Sequence, residues 1–205
     1  MTDPFDMNRR AMLQRMLLLV GATAIPAGCS LADGPGSDFK FTAKQLALVS
    51  AIADTIIPKG DTVGALDAKV PENFELLLRN WASSETLEEI VSGIERVNAA
   101  AWKANGKDFA ALAAAARLDL LKAHEAEALK PAPEKATKEG GLTMFMGPPA
   151  TDEGYARARQ LIVKLFYYSE AALTQELEYE HDPMGYKPSV PITPETRPSG
   201  GLSPI

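Results

Sequence analysis

From Phe41 to Lys130 apolar residues recur every three or four positions, and the runs are opened by capping residues and closed by Pro or Gly. A chain patterned in this way has helices to fold into and little else. In "FTAKQLALVSAIADTIIPKGD", Thr42 is placed to cap a helix, and Gln45, three residues on, completes a capping box. Leu46, Val49, Ile52 and Ile56 then share one face, and Pro58-Lys59-Gly60-Asp61 ends the run. Pro71 opens a second helix at a position where its missing N–H costs nothing, with Phe74, Leu77, Leu78 and Trp81 expected to face inward. Ser84 is expected to cap a third helix carrying Leu87, Ile90, Val91, Ile94 and Val97, which closes at Asn105-Gly106. Asp108 is read as the cap of a fourth, with Phe109, Leu112, Ala116, Leu120 and Leu121 on or near one face.

From Pro131 to Gly154 the composition shifts to Pro, Gly, Lys and Glu, a long connection of the functional or mobile sort. The apolar "LTMFMGPP" inside it has two readings: methionines around Phe145 filling a gap in the core, or a patch for a partner. A last long helix is expected from about Asp152 through "ARARQLIVKLFYYSE", burying Leu161, Ile162, Leu165 and Phe166. With 205 residues there is room for one domain with a real core. The sequence therefore predicts an all-α protein: a single compact helical domain over 41–182, an N-terminal signal segment over 1–32, and an extended Pro/Gly-rich tail over 183–205.

The start, "MNRRAMLQRMLLLVGATAIPAGCSLADG", has the three-part layout of an export signal, and its apolar run from Met16 to Ile25 is about half the roughly 20 residues a membrane span needs. Arg9 and Arg10, with Met12 and Leu13 just beyond, resemble the twin-arginine signal that sends folded proteins through the Tat translocon of the bacterial inner membrane. "IPAGC" ends like a lipoprotein box, which would make Cys29 a lipidated first residue; cleavage after Ala27 or Ala32 fits equally well. The first 28 residues hold three Arg against two Asp, so the remainder is one unit more acidic than the whole chain, whose formal charge is −6.

That acidity, with no Lys/Arg cluster, argues against nucleic acid as a partner. Cys29 is the single cysteine, which excludes an internal disulfide, a CxxC pair, a Cys-rich zinc site and covalent attachment of a c-type haem. Neither "DGPGSDF" nor "GGLTMFMGPP" has the GxGxxG spacing of a dinucleotide loop, and there is no GxSxG elbow. His124 finds only Glu127 at ligand spacing, so it reads as a solvated or half-buried helix histidine. Glu176, Glu180, His181 and Asp182 would suit a divalent cation, but Pro183 frays the backbone where such ligands need fixing. What remains near the C-terminus is an aromatic, polar surface. Tyr168, Tyr179 and Tyr186, with His181 and Asp182, are read as a partner interface, or else as anchors of the tail on the protein's own helices.

"ADTIIPKGDTVGA", Ala53 to Ala65, and "YEHDPMGY", Tyr179 to Tyr186, are the most specific blocks of a resemblance that runs from about Phe41 to Pro188. The chain resembles the gluconate 2-dehydrogenase subunit 3 family, small subunits of bacterial membrane-associated sugar and polyol dehydrogenases. The resemblance implies a partner without a cofactor or catalytic site of its own. The large subunit of such complexes is a flavin enzyme of the glucose-methanol-choline (GMC) type, carrying FAD and often lacking an export signal. A cytochrome c subunit carrying haem c commonly takes the electrons. The small subunit would lend its twin-arginine signal and aid maturation, placing the complex in the periplasm at the inner membrane. The alternative is a stand-alone periplasmic helical lipoprotein or binding module.

Overall fold

The computed structural model describes residues 38–132, 149–178, 189, 191–193 and 196–198. Among them are six α-helices, one 3-10 turn and no strand. The helices are α1 (Ala43–Ile56), α2 (Val70–Trp81), α3 (Ser84–Asn105), α4 (Ala114–Ala128), α5 (Glu153–Tyr167) and α6 (Glu170–Gln175), with the 3-10 turn at Phe109–Ala111. The all-α expectation holds. The leader, including Arg9, Arg10 and Cys29, and the segment "LTMFMGP" lie outside the described residues.

Local signals set α1. Thr42 caps it, accepting from the backbone N–H of Gln45, whose side chain in turn accepts from the N–H of Thr42. Val49 and Ile52 are buried and Leu46 and Ile56 are partly buried, so the expected stripe is the core face. The turn after Pro58 is closed by its own hydrogen bonds. Ala65 N–H returns to the carbonyl of Ile57 at 2.9 Å, and Asp67 accepts from Gly64 N–H and Lys59 Nζ, both at 3.1 Å. Lys69 enters α2 at φ 53°, in the left-handed region that a residue with a Cβ pays to occupy.

Two expectations about α2 and α3 are corrected. Trp81 is 57% exposed: the buried stripe Pro71, Phe74, Leu78 continues into Ala82, where the chain leaves the helix and the small side chain takes the core position. Ser83, not Ser84, caps α3, accepting from Thr86 N–H. The far end of α3 closes as expected at Gly106, φ 65°.

The expected fourth helix is instead a 3-10 turn followed by α4. Asp108 makes no capping hydrogen bond. Its Oδ1 accepts from Asn98 Nδ2 at 2.9 Å and Trp102 Nε1 at 2.7 Å, while Asn98 Oδ1 accepts from Phe109 N–H at 2.8 Å. The cap for this turn is therefore lent by α3. Phe109 is fully buried, as its place in the pattern suggested.

The connection toward the last long helix ends earlier than expected. Ala132 N–H meets the carbonyl of Pro149 at 2.8 Å, Pro131 and Ala150 form a bridge, and Asp152 caps α5 by accepting from Tyr155 N–H. Gly154 thus lies inside the helix and is buried. Its burial has a purpose: α3 and α5 touch backbone to backbone. A Cβ on Gly93 would stand 2.5 Å from Gly154 C, and one on Gly154 would stand 2.8 Å from Glu89 C, so neither position has room for a side chain. The pairings Glu89 with Arg157, Gly93 with Tyr155 and Arg96 with Asp152 run in opposite order along the two helices, which are therefore antiparallel. Ile162 and Phe166 are buried as expected and Leu161 and Leu165 half-buried; Tyr155, fully buried, is the largest side chain of the core.

The described residues of the tail make two contacts. Glu178 N–H donates to the carbonyl of Pro198 at 3.0 Å, and Thr193 and Thr196 form a small hydrogen-bonded turn.

Candidate interaction surfaces

Tyr168 ends α5, its N–H on the carbonyl of Lys164 and its side chain 58% exposed. Two residues of α6's surroundings add to this end of the molecule: Leu173 is exposed, and Glu176 closes α6 with its N–H on Ala172 O. Tyr179, His181, Asp182 and Tyr186, like the possible metal ligand Glu180, lie outside the described residues. Of the expected interface, then, the structure places Tyr168.

A polar cluster that the sequence did not announce joins α3, α4 and α5. Arg96 holds Asp152 with two guanidinium N–H groups, one at 2.6 Å. Arg157 reaches Glu89 at 2.9 Å, and Arg159 and the Tyr155 hydroxyl both donate to Glu125 Oε1, at 2.7 and 2.9 Å. Burial would raise the Asp152 carboxyl, but the bonds from Arg96 and Tyr155 N–H outweigh it and hold the group below the usual carboxylate range. The Tyr155 phenol is pushed far up, by burial first and then by the Glu125 carboxylate to which it donates.

His124 packs edge-on against Tyr155, ring centroids 4.8 Å apart, and borders a pocket of about 590 Å³ also lined by Glu89, Arg96 and Asp152. Its Nε2 is buried without a hydrogen-bond partner among the described residues. Burial lowers its pKa; Asp152 and Glu125 pull it up and Arg96 down. The imidazole is accordingly held neutral at pH 7. Every carboxylate named here already receives an arginine or a phenol, and these bonds clamp α3, α4 and α5 to one another.

A second concavity, also of about 590 Å³, lies between the N-terminal half of α1 and the C-terminal half of α3. It is lined by Ala47, Leu48, Ala99 and Ala110, with Glu95, Trp102 and Asp108. The indole is 53% exposed yet fixed by its bond to Asp108. Sequence reading missed this groove because its walls come from three elements; the spacing Glu95, Asn98, Ala99, Trp102 along one helix face was the available signal.

Among the described residues no group of three or more His, Cys, Asp or Glu side chains is arranged to hold a metal ion, and no helix is long and apolar enough to cross a membrane. The described chain is thus a helical domain whose distinctive features are surfaces and inter-helix clamps. Residues 43–186, more than two thirds of the chain, match the family model described as Gluconate 2-dehydrogenase subunit 3. The chain belongs to the gluconate 2-dehydrogenase subunit 3 family, and with it to the small subunits of dehydrogenase complexes. Comparison with curated proteins and with solved structures finds no match.

Proposed function

We propose that this chain is the non-catalytic small subunit of a periplasmic, membrane-associated, FAD-dependent dehydrogenase of the GMC type acting on a sugar or polyol. It escorts the flavin subunit through the Tat translocon and braces it afterwards; a cytochrome c subunit is the further partner. The observation that carries this reading is the family match over residues 43–186. The sequence adds Arg9-Arg10 ahead of a short apolar run, a leader suited to folded cargo, on a chain without a dinucleotide-binding motif. Tyr168, exposed at the end of α5, belongs to the contact proposed for the flavin subunit, and Tyr179, His181, Asp182 and Tyr186 are assigned to it from the sequence.

Co-expression with the flavin subunit tests it. Dye-linked dehydrogenase activity should appear in the periplasm only when this chain is present. Arg9→Lys with Arg10→Lys should strand both chains in the cytoplasm. A flavin subunit exported and active without its companion refutes the escort role, and turnover or tightly bound flavin in the isolated 22.0 kDa chain refutes the non-catalytic one.

A further inference from the structure

Of the helices α1 to α5, α4 is the least sunk into the core. Only Leu121 and Ala128 of it are buried, against five residues in each of α3 and α5. A helix with so few buried apolar contacts opens locally at a lower free energy than the fold around it. Near its start Arg117 reaches Asp54 of α1 at 3.1 Å. Toward its end Glu125 accepts from Arg159 and the Tyr155 hydroxyl, and the N–H groups of Asp152 and Thr151 donate to the carbonyls of Ala128 and Lys130 at 2.9 and 2.8 Å. The joint between α3 and α5 needs none of this, since it rests on the Gly93 and Gly154 backbone contact and on Arg157 with Glu89 and Arg96 with Asp152.

His124 stands where the end of α4 meets α5. Its ring lies edge-on to Tyr155, and Nε2 is shut off from water with no hydrogen-bond partner among the described residues. The charged groups around it are Glu89 and Arg96 from α3, Glu125, Glu127 and Lys130 from the end of α4, and Asp152 and Glu153 at the start of α5. Glu89, Glu125, Glu127 and Asp152 each already receive a donor from Arg157, Arg159, Lys130 and Arg96 in turn. A proton on Nε2 therefore makes a buried charge and a buried N–H with no acceptor at hydrogen-bonding distance, and only an opened seam lets water reach them. We propose that the last two turns of α4 are an acid-released flap: protonation of His124 parts them from α5, while α3 and α5 stay joined through Gly93 and Gly154.

The sign follows from the surroundings of the ring. Burial, the largest influence, holds the imidazole below its ordinary value of 6.5, with Asp152 pulling it up, Arg96 down and Glu125 up. The flap is thus closed above about pH 6.5, and opening grows as pH falls from there by up to about tenfold per pH unit until the folded value is reached.

Amide hydrogen exchange of the full chain at about pH 7.5 and about pH 5.5, corrected for the intrinsic pH dependence of exchange, tests this. Protection over residues 121–130 and at Thr151 and Asp152 should fall at the lower pH, by up to about tenfold, while Ile90–Val97 and Ala158–Phe166 change by less than about twofold. Equal loss in all three helices, or no loss in α4, overturns the proposal. His124→Leu, which takes up no proton, should keep α4 protection constant over the same range; a loss that persists in it belongs to the carboxylates and overturns the proposal too. Should that variant fail to fold, proton NMR titration of the wild-type imidazole decides, with His181→Asn identifying the His124 signal. A midpoint below about 6.5 that coincides with the loss of α4 protection supports the flap; a higher midpoint, or one passed with α4 protection unchanged, overturns it.

Discussion

Gly93→Ala isolates the contact on which the described domain is assembled. On an exposed helix this change adds about 1 kcal/mol of stability, because Ala is the better helix former. Here the new Cβ would stand 2.5 Å from Gly154 C and closer still to Tyr155 N, both backbone atoms that cannot swing aside. Restoring an ordinary contact of about 3.5 Å needs about 1 Å of separation between α3 and α5, and a gap of that size forfeits up to about half of each dispersion contact along the seam. The seam includes Ile90, Ile94, Tyr155, Ala158 and Ile162, all buried. Taking about 3 kcal/mol for the strain against the propensity gain leaves a net loss of about 2 kcal/mol, or a midpoint lower by about 4–8 °C for a domain of this size. Thermal unfolding followed by circular dichroism at the helix band reads it directly, with Gly60→Ala, where nothing lies within 4 Å of the added Cβ, as the neutral control. Gly154→Ala demands the same separation, so the double variant should lose less than the two singles combined. A Gly93→Ala midpoint at or above wild type would refute the backbone contact and with it the placement of α5.

The imidazole of His124 is held below its ordinary pKa of about 6.5, so the unfolded chain takes up a proton more readily. Stability should be full above about pH 6.5 and decline as pH falls from there through the folded value. Denaturant midpoints measured across pH 7.5 to about 5 should show the decline, and His124→Leu should flatten it; an unaltered slope in the variant assigns the effect to another group. Asp152→Ala removes both the cap of α5 and the partner of Arg96, and should cost about 2 kcal/mol in chemical unfolding, most of it from the cap because Arg96 is half exposed. Because the Asp152 carboxyl is held below its ordinary value, its contribution is present above about pH 4 and fades as pH drops through the folded pKa; a loss that persists undiminished well below that range would contradict the assignment.

What could be foreseen in this chain was whatever depends on neighbours in sequence. The capping box of Thr42 and Gln45, the stop at Gly106 and the inward stripes of α1 and α3 are settled within four residues, and they stand where expected. Trp81 and Asp108 were misjudged because each is decided by a distant or non-helical neighbour: Ala82 turning into the core, and Asn98 reaching over from α3 to satisfy Phe109 N–H. The glycines of the α3–α5 contact carry no local mark at all, since one reads as a weak point in a helix and the other as part of a loop. For the candidate surfaces the same rule applies. Tyr168 was recognisable as an exposed aromatic, whereas the groove beside Trp102 exists only once α1, α3 and the 3-10 turn have met.

The bond from Glu178 to Pro198 has a practical side for anyone handling this polypeptide. It brings Pro198 back to Glu178, three residues beyond the close of α6, so a purification handle fused soon after Pro198 starts within about 10 Å of that helix end. A resin bead held on so short a tether would crowd whatever sits on Tyr168, and capture of an intact assembly calls for a long spacer or for a handle on the other subunit.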